Sequence, residues 1–112
     1  MCHGFGAVKE IGADTFAEEF TTSIPVCALV YDNRSLGTSD GLHRQAVIPA
    51  LQCSDHSDAT THAQLGPEVD PQRVAVWGTS YNGAYALSIT AVDLRVKAIV
   101  SQGGVTPALP QA

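Results

Sequence analysis

A chain of 112 residues with 45% apolar and 15% charged content has the composition of one folded domain spanning residues 1–112, and not that of a disordered tail. Six Lys/Arg against eleven Asp/Glu give a net charge of -5, and the scattered basic residues argue against a phosphate-neutralising surface and so against nucleic acid as a partner. Cys2, Cys27 and Cys53 cannot all pair within the chain, the first twenty residues hold no secretory apolar region, and the run from Ile24 to Tyr31 is too short to cross a bilayer; a reduced, cytoplasmic setting away from the membrane is expected, with the Cys27 thiol buried.

In chain order, His3-Gly4-Phe5-Gly6 comes first, and its glycines alone would suit a flexible terminus. Asp14 is expected to cap a short helix whose Phe16 and Phe20 share one face, with Glu18 and Glu19 turned outward. Ile24 to Tyr31 is continuously apolar and predicts a strand buried on both faces. Residues 32–41 (DNRSLGTSDG) are crowded with turn formers and predict a loop. Asp32, Arg34 and Asp40 lie there, beside the usual ligand crevice of a parallel sheet, yet their chemistry better suits Asx-turns and an Arg-to-carbonyl bond that hold the loop's shape.

Pro49 to about Leu65 predicts a helix, weakened in propensity by His56, Thr60, Thr61 and His62 and closed by Pro67 and the Asp70-Pro71 pair. Cys53, His56 and His62 bring to mind a metal site, but no second paired-ligand motif accompanies them, and no metal or other cofactor is expected. Arg73 to Trp77 predicts a second strand, Ser80 to Val92 a second helix and Val96 to Ser101 a third strand. Tyr81 and Tyr85, four apart on that helix, read as packing residues. Strands alternating with helices imply an α/β fold, a three-layer α/β/α arrangement around a mostly parallel sheet.

Trp77-Gly78-Thr79-Ser80-Tyr81-Asn82-Gly83 falls between a predicted strand and a predicted helix. A serine on such a sharp turn is lifted above the sheet, while small neighbours let strand and helix approach closely. Asn82 stands where the second glycine of G-x-S-x-G belongs and brings a side chain into a crowded place. The motif alone fits two readings equally: a nucleophile elbow, or an ordinary turn whose serine caps the helix. His3-Gly4-Phe5 shifts the balance, because a His-Gly segment can present a backbone N–H that joins the N–H after the nucleophile to hold an oxyanion. Those donors would be Phe5 and Tyr81, with Ser80 as the catalytic nucleophile.

Residues 2–10 (CHGFGAVKE), 31–41 (YDNRSLGTSDG), 67–83 (PEVDPQRVAVWGTSYNG) and 93–102 (DLRVKAIVSQ) together resemble the fungal α/β-hydrolases of the polyketide transferase and thiohydrolase group, relatives of the X-Pro dipeptidyl-peptidase and dienelactone hydrolase folds. The resemblance covers nearly the whole chain. It implies a serine nucleophile acting on small-molecule acyl esters or thioesters of secondary metabolism, free or carrier-bound, by hydrolysis or by acyl transfer. It also implies a longer protein on both sides. A central strand would precede His3, where only Met1 and Cys2 stand, and the triad order Ser, Asp/Glu, His would continue after Ser80. All four histidines, His3, His43, His56 and His62, come before Ser80, and Asp93 is the one acid after it. The alternatives to an enzyme are an inactive remnant and an acyl-binding module that lacks a complete triad.

Overall fold

The computed structural model describes residues 1–103. Its elements are α1 (Ala13–Ser23), α2 (Pro49–Gln64), β1 (Val74–Thr79), α3 (Tyr81–Val92) and β2 (Val96–Gln102). β1 and β2 pair in parallel from Ala75 opposite Ala98 to Thr79 opposite Gln102. Parallel strands need a long crossover, and α3 supplies it while packing on both strands.

The alternation of side chains along β1 sets the layers. Val76 points to the α3 side, where it forms a buried cluster with Ala86, Ile89 and Val96, and Cys53 of α2 packs against that cluster. Trp77, the next residue, points the other way and places its ring 5.1 Å from that of Phe16 on α1. α1 and α3 therefore cover opposite faces of the sheet, giving the expected α/β/α layering. Among the described residues, no helix is long and apolar enough to cross a membrane.

Three expectations are corrected. Asp14 does not cap α1: the helix starts at Ala13, with Gly12 at the N-cap in the left-handed region (φ 89°). The Asp14 carboxylate instead accepts from the adjacent Thr15 amide inside the first turn, where the helix dipole favours negative charge. Residues 24–31 form no strand, and Cys27 is exposed where a buried thiol was expected. Beside this segment the Met1 amine donates to the Leu29 carbonyl at 2.8 Å, and among the described residues no ladder forms along residues 24–31.

Candidate active site

Ser80 joins β1 to α3 in a conformation that L-residues rarely adopt, φ 52° and ψ -119°. Its hydroxyl makes no capping bond to α3, and the residue is exposed. A capping serine would sit in the β region and spend its oxygen on the helix, so Ser80 does not cap α3 in that way. The turn is pinned from both sides: the Ser80 amide donates to Gln102 at the end of β2 (2.8 Å), and the Ser80 carbonyl accepts from the Gly83 amide (2.9 Å). At Gly78 any Cβ would meet the Asn82 carbonyl oxygen at 2.3 Å, which is why the residue before the turn is glycine.

The His3–Phe5 segment lies against this turn. Cys2 bridges to Gly78 in parallel, its amide donating to the Trp77 carbonyl at 3.1 Å, so the chain leaves β1's edge at the level of the elbow. A Cβ on Gly4 would stand 3.5 Å from the Ser80 Cβ. The Phe5 ring meets Tyr81 edge-on at 5.2 Å, and Tyr81 meets Tyr85 at 5.1 Å in the packing expected for that pair. Ser80, Phe5 and Tyr81 are thus brought to one place, next to the N-terminus of α3, whose first amides have no intrahelical acceptor.

Asn82 is fully buried and does not merely crowd the turn. Its side-chain amide donates to the His3 carbonyl, and its Oδ1 accepts from Asn33 Nδ2 (3.4 Å) and from His56 Nε2 (3.3 Å). The Asn33 amide donates to His3 Nε2 (3.3 Å), which leaves His3 Nδ1 to donate to the Gly4 carbonyl (3.1 Å). Burial, with a smaller contribution from the N-terminal ammonium, pushes the His56 imidazole down to about 4. The Cys2 thiol, buried and donating to Asn33 Oδ1 at 3.2 Å, is pushed up to about 11. Sequence reasoning singled out Asn82 only as a departure and did not assign roles to Asn33 or His56. Their signal was weak, because nothing along the chain shows that residues 33, 56 and 82 meet.

The loop acids hold structure, as expected for Asp32. Its carboxylate accepts from the Lys9 amide (2.7 Å), Lys9 Nζ (3.0 Å) and the Thr38 amide and hydroxyl (both 3.0 Å). Burial alone would raise Asp32, but these hydrogen bonds outweigh it and hold the carboxyl well below its ordinary range. Arg34 departs from the expected carbonyl bond: it grips Asp55 of α2 through Nε (2.9 Å) and Nη2 (2.5 Å). Arg44 takes the carbonyl role instead, reaching Ser39 and Gly37. Asp40 contributes its carbonyl, which accepts from the Ser35 amide at 2.9 Å. Asp93 is held by Arg95 (2.6 Å), which keeps its carboxyl at about 2. Among the described residues, no three His, Cys, Asp or Glu side chains gather where they could hold a metal ion. Among the same residues no imidazole hydrogen-bonds the Ser80 hydroxyl; His43 and His62 are exposed, and His3 and His56 are committed to the network under the turn.

No protein-family model matches the chain. It is 41% identical over 101 residues to the thiohydrolase aneE of Aspergillus aculeatus, covering 90% of this chain and 31% of that protein. It is 39% identical over 83 residues to the polyketide transferase claH of Penicillium crustosum, covering 74% of this chain and 27% of the relative. In structure it is similar to the α/β-hydrolase GrgF of Penicillium sp. sh18, with a TM-score of 0.84 at 31% identity over 88% of this chain and 34% of that one. The chain spans about a third of the length of the curated relatives it matches.

Proposed function

We propose that this chain, which has the fold of part of an α/β-hydrolase and resembles the fungal thiohydrolases and polyketide transferases, carries the nucleophile of a serine-dependent acyl hydrolase or acyltransferase. The observation that carries the reading is Ser80, strained, exposed and free of the helix it precedes. In this reading the Ser80 hydroxyl attacks the carbonyl of an ester or thioester. The backbone amides of Phe5 and Tyr81 receive the developing oxyanion, and the positive end of α3 adds to its stabilisation. Loss of the alcohol or thiol leaves an acyl-serine, which water or a second nucleophile then takes over. The names of the relatives support acyl chemistry on small molecules. A cytoplasmic location accompanies the reading, supported by three cysteines that are all free.

The test is covalent labelling. A fluorophosphonate should modify Ser80 in preference to Ser23, Ser35, Ser54, Ser57, Ser88 and Ser101, and Ser80→Ala should abolish the label. Even labelling across several serines would sink the elbow reading.

One observation favours a second reading: His3 and His56 are engaged in the network under the turn, and among the described residues no imidazole hydrogen-bonds the Ser80 hydroxyl. An acyl-binding module would bind a non-hydrolysable acyl thioester with an affinity that Ser80→Ala leaves unchanged, and would turn over no thioester. Loss of turnover in Ser80→Ala, with binding retained, would decide for the enzyme.

A further inference from the structure

Between residues 5–8 and the loop of residues 35–47 lies a cleft of about 560 Å³. Phe5, Val8, Leu36 and Val47 give it apolar walls, and Arg44 and Gln45 bring polar groups to it. Apolar walls with a few placed polar groups, at this volume, are what a small-molecule site offers. Phe5 belongs to two places at once: it lines the cleft, and its ring meets that of Tyr81, the residue after Ser80.

Arg44 differs from the cations around it. Lys9 pairs with Asp32 and Glu10, Arg34 with Asp55 and Arg95 with Asp93, whereas Arg44 forms no ion pair among the described residues. Its Nη1 and Nη2 donate to the Ser39 and Gly37 carbonyls, which fixes the guanidinium and uses two of its five N–H groups. The wall around it is built in advance. Ser35 (φ 68°), His43 (φ 56°) and Gln45 (φ 68°) hold a backbone conformation that L-residues rarely adopt. The Ser35 amide donates to the Asp40 carbonyl (2.9 Å) and the Gln45 amide to the Ser35 carbonyl (2.8 Å), and such bonds keep a strained loop in one shape.

We propose that this cleft receives the acyl chain of the substrate and selects chains that end in a carboxylate, which the Arg44 guanidinium binds. The inference rests on the reading of Ser80 as nucleophile and names the substrate class for it. A guanidinium fork matches a carboxylate with two parallel N–H···O bonds. Phe5, Val8, Leu36 and Val47 suit the methylenes that separate the thioester from that carboxylate. They suit a phosphopantetheine arm less well, because its amides would lose water against apolar walls without gaining partners. On a chain of net charge -5 the long-range field disfavours an anion, so recognition falls to this local cation.

The experiment titrates the 112-residue chain with two non-hydrolysable probes, the mono-N-ethylamide of octanedioic acid and the N-ethylamide of octanoic acid, which differ in the terminal carboxylate. Methyl resonances of Val8 and Val47 report occupancy of the cleft. The expected result is saturable binding, at least threefold tighter for the carboxylate probe, with Ser80 fluorophosphonate labelling slowed at least threefold at saturation. Arg44→Gln should erase the preference. Gln45→Glu, which leaves the bonds of Arg44 to Gly37 and Ser39 in place, should weaken the carboxylate probe and spare the neutral one. Lack of saturation, equal affinities, a preference that survives both substitutions, tighter binding of phosphopantetheine than of the carboxylate probe, or labelling that a bound probe does not slow would each overturn the proposal. Because the titrations need no turnover, equal affinities with Ser80 still labelled would remove the carboxylate selection alone. A chain that binds with the preference but never labels at Ser80 would remove the nucleophile reading, and with it the role of the cleft as a substrate subsite.

Discussion

The Asn82 side-chain amide donates to the His3 carbonyl, joining residues 79 positions apart. One is two residues past Ser80 and the other two residues before Phe5, so a single buried bond ties the two halves of the candidate site together. Asn82→Gly would restore the usual spacing of small residues yet leave the His3 carbonyl and the groups of Asn33 and His56 without their partner. Unpaired buried polar groups cost about 1–3 kcal/mol each, so a loss of about 2–4 kcal/mol in urea unfolding is expected. A Gly variant as stable as the parent would show that the bond holds nothing.

Ser80→Gly should act in the opposite direction on stability. The φ of 52° is strained for serine and open to glycine. Relief of about 1–3 kcal/mol of strain exceeds the entropy that glycine adds to the unfolded chain, leaving a net gain of about 1 kcal/mol. The urea midpoint should rise while fluorophosphonate labelling disappears. A lower midpoint would mean that the turn is not strained.

Gly78→Ala tests the close approach of β1 and α3. Its new methyl would lie 2.3 Å and 2.6 Å from the Asn82 carbonyl oxygen and carbon, backbone atoms that cannot turn aside. Overpacking of this kind costs about 1–3 kcal/mol, and the upper end is expected here. Because the displaced turn carries Ser80, the rate of fluorophosphonate labelling should fall with it, which a calorimetric melt and a labelling time course read separately.

His56 makes stability depend on pH. Its imidazole titrates near 4 in the folded chain against an ordinary 6.5, so the unfolded chain binds the proton more readily between those values. Stability is full above pH 6.5 and declines as pH falls toward 4, by about 3 kcal/mol across the window. Urea midpoints at pH 7, 5.5 and 4.5 should fall in that order. His56→Gln, which cannot take up the proton, should flatten the decline.

Asp32→Asn should loosen the loop of residues 32–41 from Lys9. The carboxylate is buried and accepts four hydrogen bonds, and an amide in its place turns one acceptor into a donor facing donors. Leaving the charge of Lys9 and the Thr38 amide unmatched is expected to cost about 2–4 kcal/mol. Proteolysis rates within residues 32–45 would report the opening locally, and rates equal to those of the parent would remove Asp32 from its structural role.

The local chemistry of the chain was enough for much of this. Prolines at 49, 67 and 71 delimit α2 and the approach to β1, the turn formers of residues 32–41 make their loop, and the alternation of elements dictates a parallel sheet. These features depend on short-range sterics and apolar patterning, which a linear reading captures. The fate of Ile24 to Tyr31 was beyond that reach, since an apolar run becomes a strand only where a neighbouring strand pairs with it, and pairing is decided by the tertiary arrangement and not by the run itself. Asn82 was misjudged for the same physical reason. A polar side chain in a tight turn looks costly until three partners from positions 3, 33 and 56 converge on it, and only the folded chain brings them within hydrogen-bonding distance.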